Sequence, residues 1–199
     1  MAVFFLATED ILSEEVGRRL ILELGEKFSV GPTFRQNGNG YLKQRLPNFC
    51  SIAERQPFLL ITDLDQTVCP TYLISDWLGN RPKPPNLLFR VAVREIEAWL
   101  LADHDGIIDF LGARVTKLTE KPDALPDPKS EFLRQALRAP REIREDIVPE
   151  KNAITRIGLG YNRRLTDFVR NVWNPNRAAA RSDSLRRARE RLRAFAATV

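Results

Sequence analysis

The segment Phe58-Leu59-Leu60-Ile61-Thr62, followed at once by Asp63-Leu64-Asp65, constrains the fold more than any other stretch of the chain. An unbroken apolar run of strand length has no polar face to offer water, so both of its faces must be covered. That is the condition of a strand in a parallel sheet with helices on either side. The same signature recurs at Val3 to Ala7 and at Leu87 to Val93, with a weaker run, broken by Gly31 and Pro32, at Phe28 to Phe34. Helical patterns fill the gaps. Ser13 is placed to cap a helix with Val16, Leu20 and Leu24 on one face and Gly25 beyond its end. The Asn37-Gly38-Asn39-Gly40 turn opens a helical stretch to about Arg55, and Pro70 suits the first position of a helix ending near Gly79. After a linker at Pro82 to Pro85 and the fourth strand, Arg94 to Asp103 reads as a helix. Strands alternating with helices predict an α/β fold on a small parallel sheet.

Beyond His104 the pattern changes. Pro122, Pro126, Pro128, Pro140 and Pro149 cut the chain into short helices, one of them capped by Asp127-Pro128 and running to about Arg138. The expected organisation is an α/β core over residues 1–104 and a helical extension over residues 105–199, packed against it and ending in an Arg-rich helix.

Composition narrows the chemistry. With 43% hydrophobic and 29% charged residues in 199, the chain can bury a sizeable core. No apolar run approaches the roughly 20 residues of a membrane span. Met1 to Leu6 lacks a basic lead and soon meets Glu9 and Asp10, unlike a signal peptide, and two cysteines are too few for a disulfide scaffold. A cytoplasmic protein with no membrane contact is expected. His104 is the single histidine, which excludes His-rich zinc sites and leaves any Ser-His-Asp triad resting on one residue. Catalysis would run on carboxylates, hydroxyls, lysine or a bound metal. From Arg177 to Val199, seven arginines face two acids, which accounts for the whole net charge of +5. Such an arm suits a polyanion such as nucleic acid, with Arg186 and Arg187 as candidate contacts, and equally suits a solvated helix face.

Acids fall just past three of the predicted strands: Glu9 after the first, Asp63 and Asp65 after the third, Glu95 and Glu97 after the fourth. Ligands of open parallel sheets bind beyond the carboxyl ends of the strands. In extended chain, Asp63 and Asp65 would share a face about 7 Å apart and lean toward one ion. Converging carboxylates with no histidine among them repel one another unless a cation is present, and Mg²⁺ or Mn²⁺ takes such oxygen ligands. Each acid also has an ordinary role, at a helix start for Glu9, Glu95 and Glu97 and in a turn for Asp63 and Asp65.

Two family resemblances compete. Leu59-Leu60-Ile61-Thr62-Asp63-Leu64-Asp65-Gln66-Thr67 resembles the haloacid-dehalogenase motif, which would make Asp63 a phosphoryl-accepting nucleophile and Asp65 a general acid/base. That family starts near this strand, whereas here two β-α units precede it. The order Glu9, two β-α units, then Asp63 and Asp65 resembles the Toprim fold of topoisomerases, primases and OLD-type nucleases. More closely, the chain resembles the bacterial family called domain of unknown function 4276, which is Toprim-like. That likeness rests on Glu9-Asp10-Ile11-Leu12-Ser13-Glu14, Gly38-Asn39-Gly40-Tyr41-Leu42-Lys43, Thr62-Asp63-Leu64-Asp65-Gln66 and Arg94-Glu95-Ile96-Glu97-Ala98-Trp99 through Asp103, and covers nearly the whole chain.

The resemblance implies a metal-dependent nuclease acting on DNA or RNA. Glu9, Asp63 and Asp65 would be catalytic, Glu9, Asp63, Asp65 and Glu95 would hold Mg²⁺ or Mn²⁺, and Lys43, Arg94, Arg186 and Arg187 would meet phosphates. An ATPase partner in phage defence is a further implication. Asp10 stands where Toprim nucleases usually have glycine, which leaves open whether Glu9 or Asp10 is the functional acid. The alternative to an enzyme is a non-catalytic module of the same fold that binds nucleic acid or protein.

Overall fold

A computed structural model describes residues 2–36, 38–112, 114–115 and 117–199; Met1, Asn37, Ala113 and Thr116 lie outside, so the start of the chain and the first residue of the predicted Asn37–Gly40 turn are not described. Four parallel strands, β1 (Ala2–Thr8), β2 (Phe28–Arg35), β3 (Phe58–Asp63) and β4 (Leu87–Ala92), form one sheet in the order β2-β1-β3-β4. The fold is the predicted α/β class with helices on both faces. Helix α1 (Ile11–Leu22) packs on one face, while α2 (Asn39–Ala53) and α3 (Pro70–Leu78) pack on the other. Chain order reverses at β1: α1 leads outward to β2, and α2 crosses back to β3. A crevice therefore opens between the ends of β1 and β3.

Local chemistry explains where the elements depart from their predicted bounds. Helix α1 is capped by Asp10, not Ser13: the Asp10 backbone is extended and its carboxylate accepts from the Ser13 amide at 2.8 Å. In β2, Gly31 and Pro32 together oppose the single residue Phe5, because the register steps from Phe4↔Val30 to Leu6↔Thr33. This bulge on an edge strand is where a proline without an amide donor can stay inside a sheet. The predicted helix from Arg94 to Asp103 is shorter, running as α4 (Ile96–Leu101), because Asp103 turns away to cap α5 (His104–Leu111).

The extension supplies a 3-10 turn at Pro122–Ala124 and then α6 (Pro128–Ala136), α7 (Arg141–Ile147), α8 (Tyr161–Asn171), α9 (Pro175–Ala178) and α10 (Asp183–Ala196). These do not form a separate core. Phe132 of α6, Leu165 and Phe168 of α8, and Leu185 and Leu192 of α10 join one apolar cluster with Phe4, Leu59, Ile61 and Leu88 of the sheet. Trp173 is wholly buried and donates its indole N–H to the Trp99 carbonyl at 3.1 Å. Gly158 and Gly160 are packing glycines: a Cβ on Gly160 would lie 2.7 Å from the Asp146 side chain.

Candidate functional site

Glu9 follows β1 directly and reaches across the crevice to β3. One carboxylate oxygen accepts from the Thr62 hydroxyl and from the Asp63 amide, the latter at 3.0 Å. Burial pushes its pKa up, partly offset by those two hydrogen bonds, while Asp65 and Asp10 push it further. Asp10 spends its carboxylate on the α1 cap, and Glu14 spends its own on Arg18 and Arg35. Glu9 is thus the acid that enters the crevice.

Asp63 ends β3, and the alternation that puts Leu59 and Ile61 on the α1 face puts Asp63 there too. Its Oδ1 is buried and has no hydrogen-bond partner. Glu97, in the first turn of α4, is 1% exposed and its Oε2 is likewise buried and without a partner. The other Glu97 oxygen accepts from the Tyr161 hydroxyl at 2.8 Å and lies 3.4 Å from the Lys129 ammonium. Burial raises the Asp63 pKa well above the usual carboxylate range, with Glu97 the leading charge that adds to it, ahead of Glu9. Glu97 is pushed up to about 6, by burial first, against the pull of Lys129. Burial pulls Lys129 down, but Glu97, Glu95 and Asp63 outweigh it and hold the ammonium firmly charged. The same burial and the neighbouring Glu97 keep the Tyr161 phenol protonated.

The other predicted residues are more dispersed. Asp65 lies past the strand in a turn, with φ at 48°, so the shared-face spacing expected of extended chain does not hold. Buried Leu64 takes the inward place and Asp65 Oδ2 accepts from the Asn39 amide at 3.2 Å, at the start of α2. Glu95 caps no helix of its own; its Oε2 accepts from the Lys129 amide at 2.9 Å and so seats the start of α6. Arg94 donates to the carbonyls of Asp65 and Thr67, at 2.9 and 3.0 Å, and fixes that turn. Lys43 pairs with Asp76 at 2.7 Å. Arg186 and Arg187 both pair with Asp183, and Arg186 also with Glu190. Much of the basic arm is engaged in this way: Arg177 holds Asp103, Arg181 holds Glu120, and buried Arg189 holds Glu23.

Among the described residues no group of three or more His, Cys, Asp or Glu side chains forms a ready metal cage. No family model matches the chain, and neither a curated protein nor a solved structure matches it. The donor set suits a divalent cation in one specific respect. Asp63 Oδ1 and Glu97 Oε2 are buried acceptors that no protein group satisfies, a costly condition that a cation relieves. Mg²⁺ is commonly held by one or two carboxylates, with water and substrate phosphates completing its shell.

The sequence places Glu97 among the strand-end acids but gives the ligand role to Glu95, and it singles out neither Lys129 nor Tyr161. Glu97 carried a signal, since it is the one acid in the otherwise apolar Ile96–Leu101 helix. Lys129 and Tyr161 carried none, because they reach the site only through the packing of α6 and α8 against α4 and α1.

Proposed function

We propose that the chain is a divalent-metal-dependent phosphodiesterase of Toprim-like type, cleaving DNA or RNA. The observation that carries this reading is that Asp63 Oδ1 and Glu97 Oε2 are both buried without a hydrogen-bond partner, on carboxylates close enough to repel each other, at the crevice of a parallel sheet. Those two residues would hold the ion, with Asp65 and Glu95 nearby at its margin. When bound, the metal supplies Lewis-acid polarisation of a phosphate and lowers the pKa of a water. Glu9 positions Asp63 through the Asp63 amide and Thr62, and its raised pKa suits it to accept a proton. Lys129, held charged beside Glu97, offers a fixed positive group to the phosphate oxygens. Tyr161 keeps Glu97 in one orientation.

Labelled single-stranded DNA, duplex DNA and RNA, incubated with Mg²⁺ or Mn²⁺, test this. Cleavage is expected in the native chain. Asp63→Asn and Glu97→Gln should lose more than the 10–100-fold typical of outer-shell changes. Lys129→Met should lose about 100- to 1,000-fold. Oligonucleotide binding without cleavage on any substrate would favour the non-catalytic module. Turnover of p-nitrophenyl phosphate through an acyl phosphate on Asp63 would favour the phosphatase reading instead.

A further inference from the structure

Strand β4 is the edge of the sheet opposite β2, and Arg90 is the one charged residue within it. Alternation sets Arg90 between Leu88 and Ala92, on the face that α10 covers. Its Nε is buried and finds no hydrogen-bond partner. The charges around it are cations. Burial and then Arg191 pull its pKa down to about 10, and Lys83, on the segment entering β4, is lowered by burial, Arg90 and Arg191. Arg187, one turn before Arg191 on α10, lines with Arg90 a pocket of about 420 Å³. Two acids also line this pocket; the pairing of Asp183 with Arg187 occupies both of those groups, so among the described residues Arg90 is the cation of the lining that is left without an acidic partner. Asp123 accepts from the Ser182 hydroxyl at 2.7 Å and the Ser184 amide at 2.8 Å, and Asp183 is shared by Arg186 and Arg187.

A guanidinium with an unmet donor, set among other cations, is an arrangement that folding alone does not favour. An anion resolves it. The pocket runs on to Val93, Pro70 and Thr71, beyond the carboxyl end of β4, which is the end of the sheet where Asp63 and Glu97 stand. We infer that the edge of β4, with Lys83, Arg90 and Arg191, is a phosphate-binding track that seats a nucleic-acid backbone and leads it to the carboxylates. This rests on the nuclease reading for its ligand, and on Arg90 for its place.

The test is fluorescence anisotropy of a labelled single-stranded oligonucleotide titrated with the full chain in chelator, so that neither metal nor cleavage takes part. The native chain should bind with a log–log salt slope near −2, for about three neutralised phosphates. Arg90→Gln and Arg191→Gln should each weaken binding about threefold or more at moderate salt and reduce the slope by about 0.7. Arg191 is exposed on α10, so its variant keeps the test decisive if the strand substitution fails to fold, as a circular-dichroism melt will show. Unchanged affinity in Arg191→Gln, or no binding by the native chain, overturns the track. Inorganic phosphate titrated calorimetrically separates the two sources of the anion: an oligonucleotide that binds no more tightly than free phosphate overturns a backbone track in favour of a small-anion site. Arginine-dependent binding without any cleavage in the metal assays counts against the nuclease reading and leaves the track standing.

Discussion

Asp63 shows what a single residue of this site costs the fold. Its Oδ1 is buried without a hydrogen-bond partner, and the charges of Glu97 and Glu9 repel it. Removing the charge removes the repulsion, so Asp63→Asn should melt higher than the native chain in chelator, by a few degrees for each kcal/mol gained. Thermal unfolding followed by circular dichroism reads this directly, and a lower melting temperature would contradict it. The pH dependence has the corresponding sign. Glu97 has its folded pKa raised from 4.5 to about 6, so the native state holds more protons than the unfolded chain across that window. The stability this proton confers is present below the lower value and is lost as pH rises through the upper, on the order of 2 kcal/mol in all. In chelator, melting temperature should rise as pH falls from 7 to 5.5, and Glu97→Gln should flatten that slope.

At the scale of elements, one buried carboxylate ties three helices together. Asp103 is 0% exposed, caps α5 through the Gly106 amide, accepts from the Asn174 amide at 2.7 Å and pairs with Arg177 at 2.6 and 2.8 Å. Asp103→Ala should cost about 3–5 kcal/mol, because it strands a charged group and several donors at the junction of α4, α5 and α9. Urea titration measures it, and a loss under about 1 kcal/mol would show that the junction does not depend on this carboxylate. Elements of this kind were only partly legible in the sequence. Strands β1, β3 and β4 were visible because runs such as Phe58 to Thr62 leave a chain little else to do, and β2 was visible only weakly because its bulge interrupts the pattern. The α1 cap was placed on Ser13 since both serine and aspartate suit that position, and only backbone geometry chooses. The places of Glu9 and Asp63 at the ends of β1 and β3 are legible in the sequence. Asp65 was misplaced because Leu64 turns the chain before it, and Lys129 and Tyr161 were invisible because long-range packing brings them in.

Across the whole molecule, the extension is what closes the sheet. The α1 face of β1, β3 and β4 is covered by a cluster that draws on α6, α8 and α10, and Phe4 meets Phe195 edge-on at 5.7 Å. The division at residue 104 is therefore one of sequence pattern rather than of core. Residues 1–104 made alone should show no cooperative thermal transition, since Leu59, Ile61 and Leu88 would lie open to water. A sharp melt of that fragment would show an independent core. The same extension brings Lys129 and Tyr161 to Glu97, so the fold and the site depend on one packing event. No described helix is long and apolar enough to cross a membrane. The claim on which the whole account turns is that Asp63 and Glu97 share a divalent cation. Calorimetric titration of Mn²⁺ into the native chain, Asp63→Asn and Glu97→Gln tests it most directly. The native chain should bind with release of protons at pH 6 to 7, and both variants should lose that binding. Equal binding in all three, or none in the native chain, would contradict it.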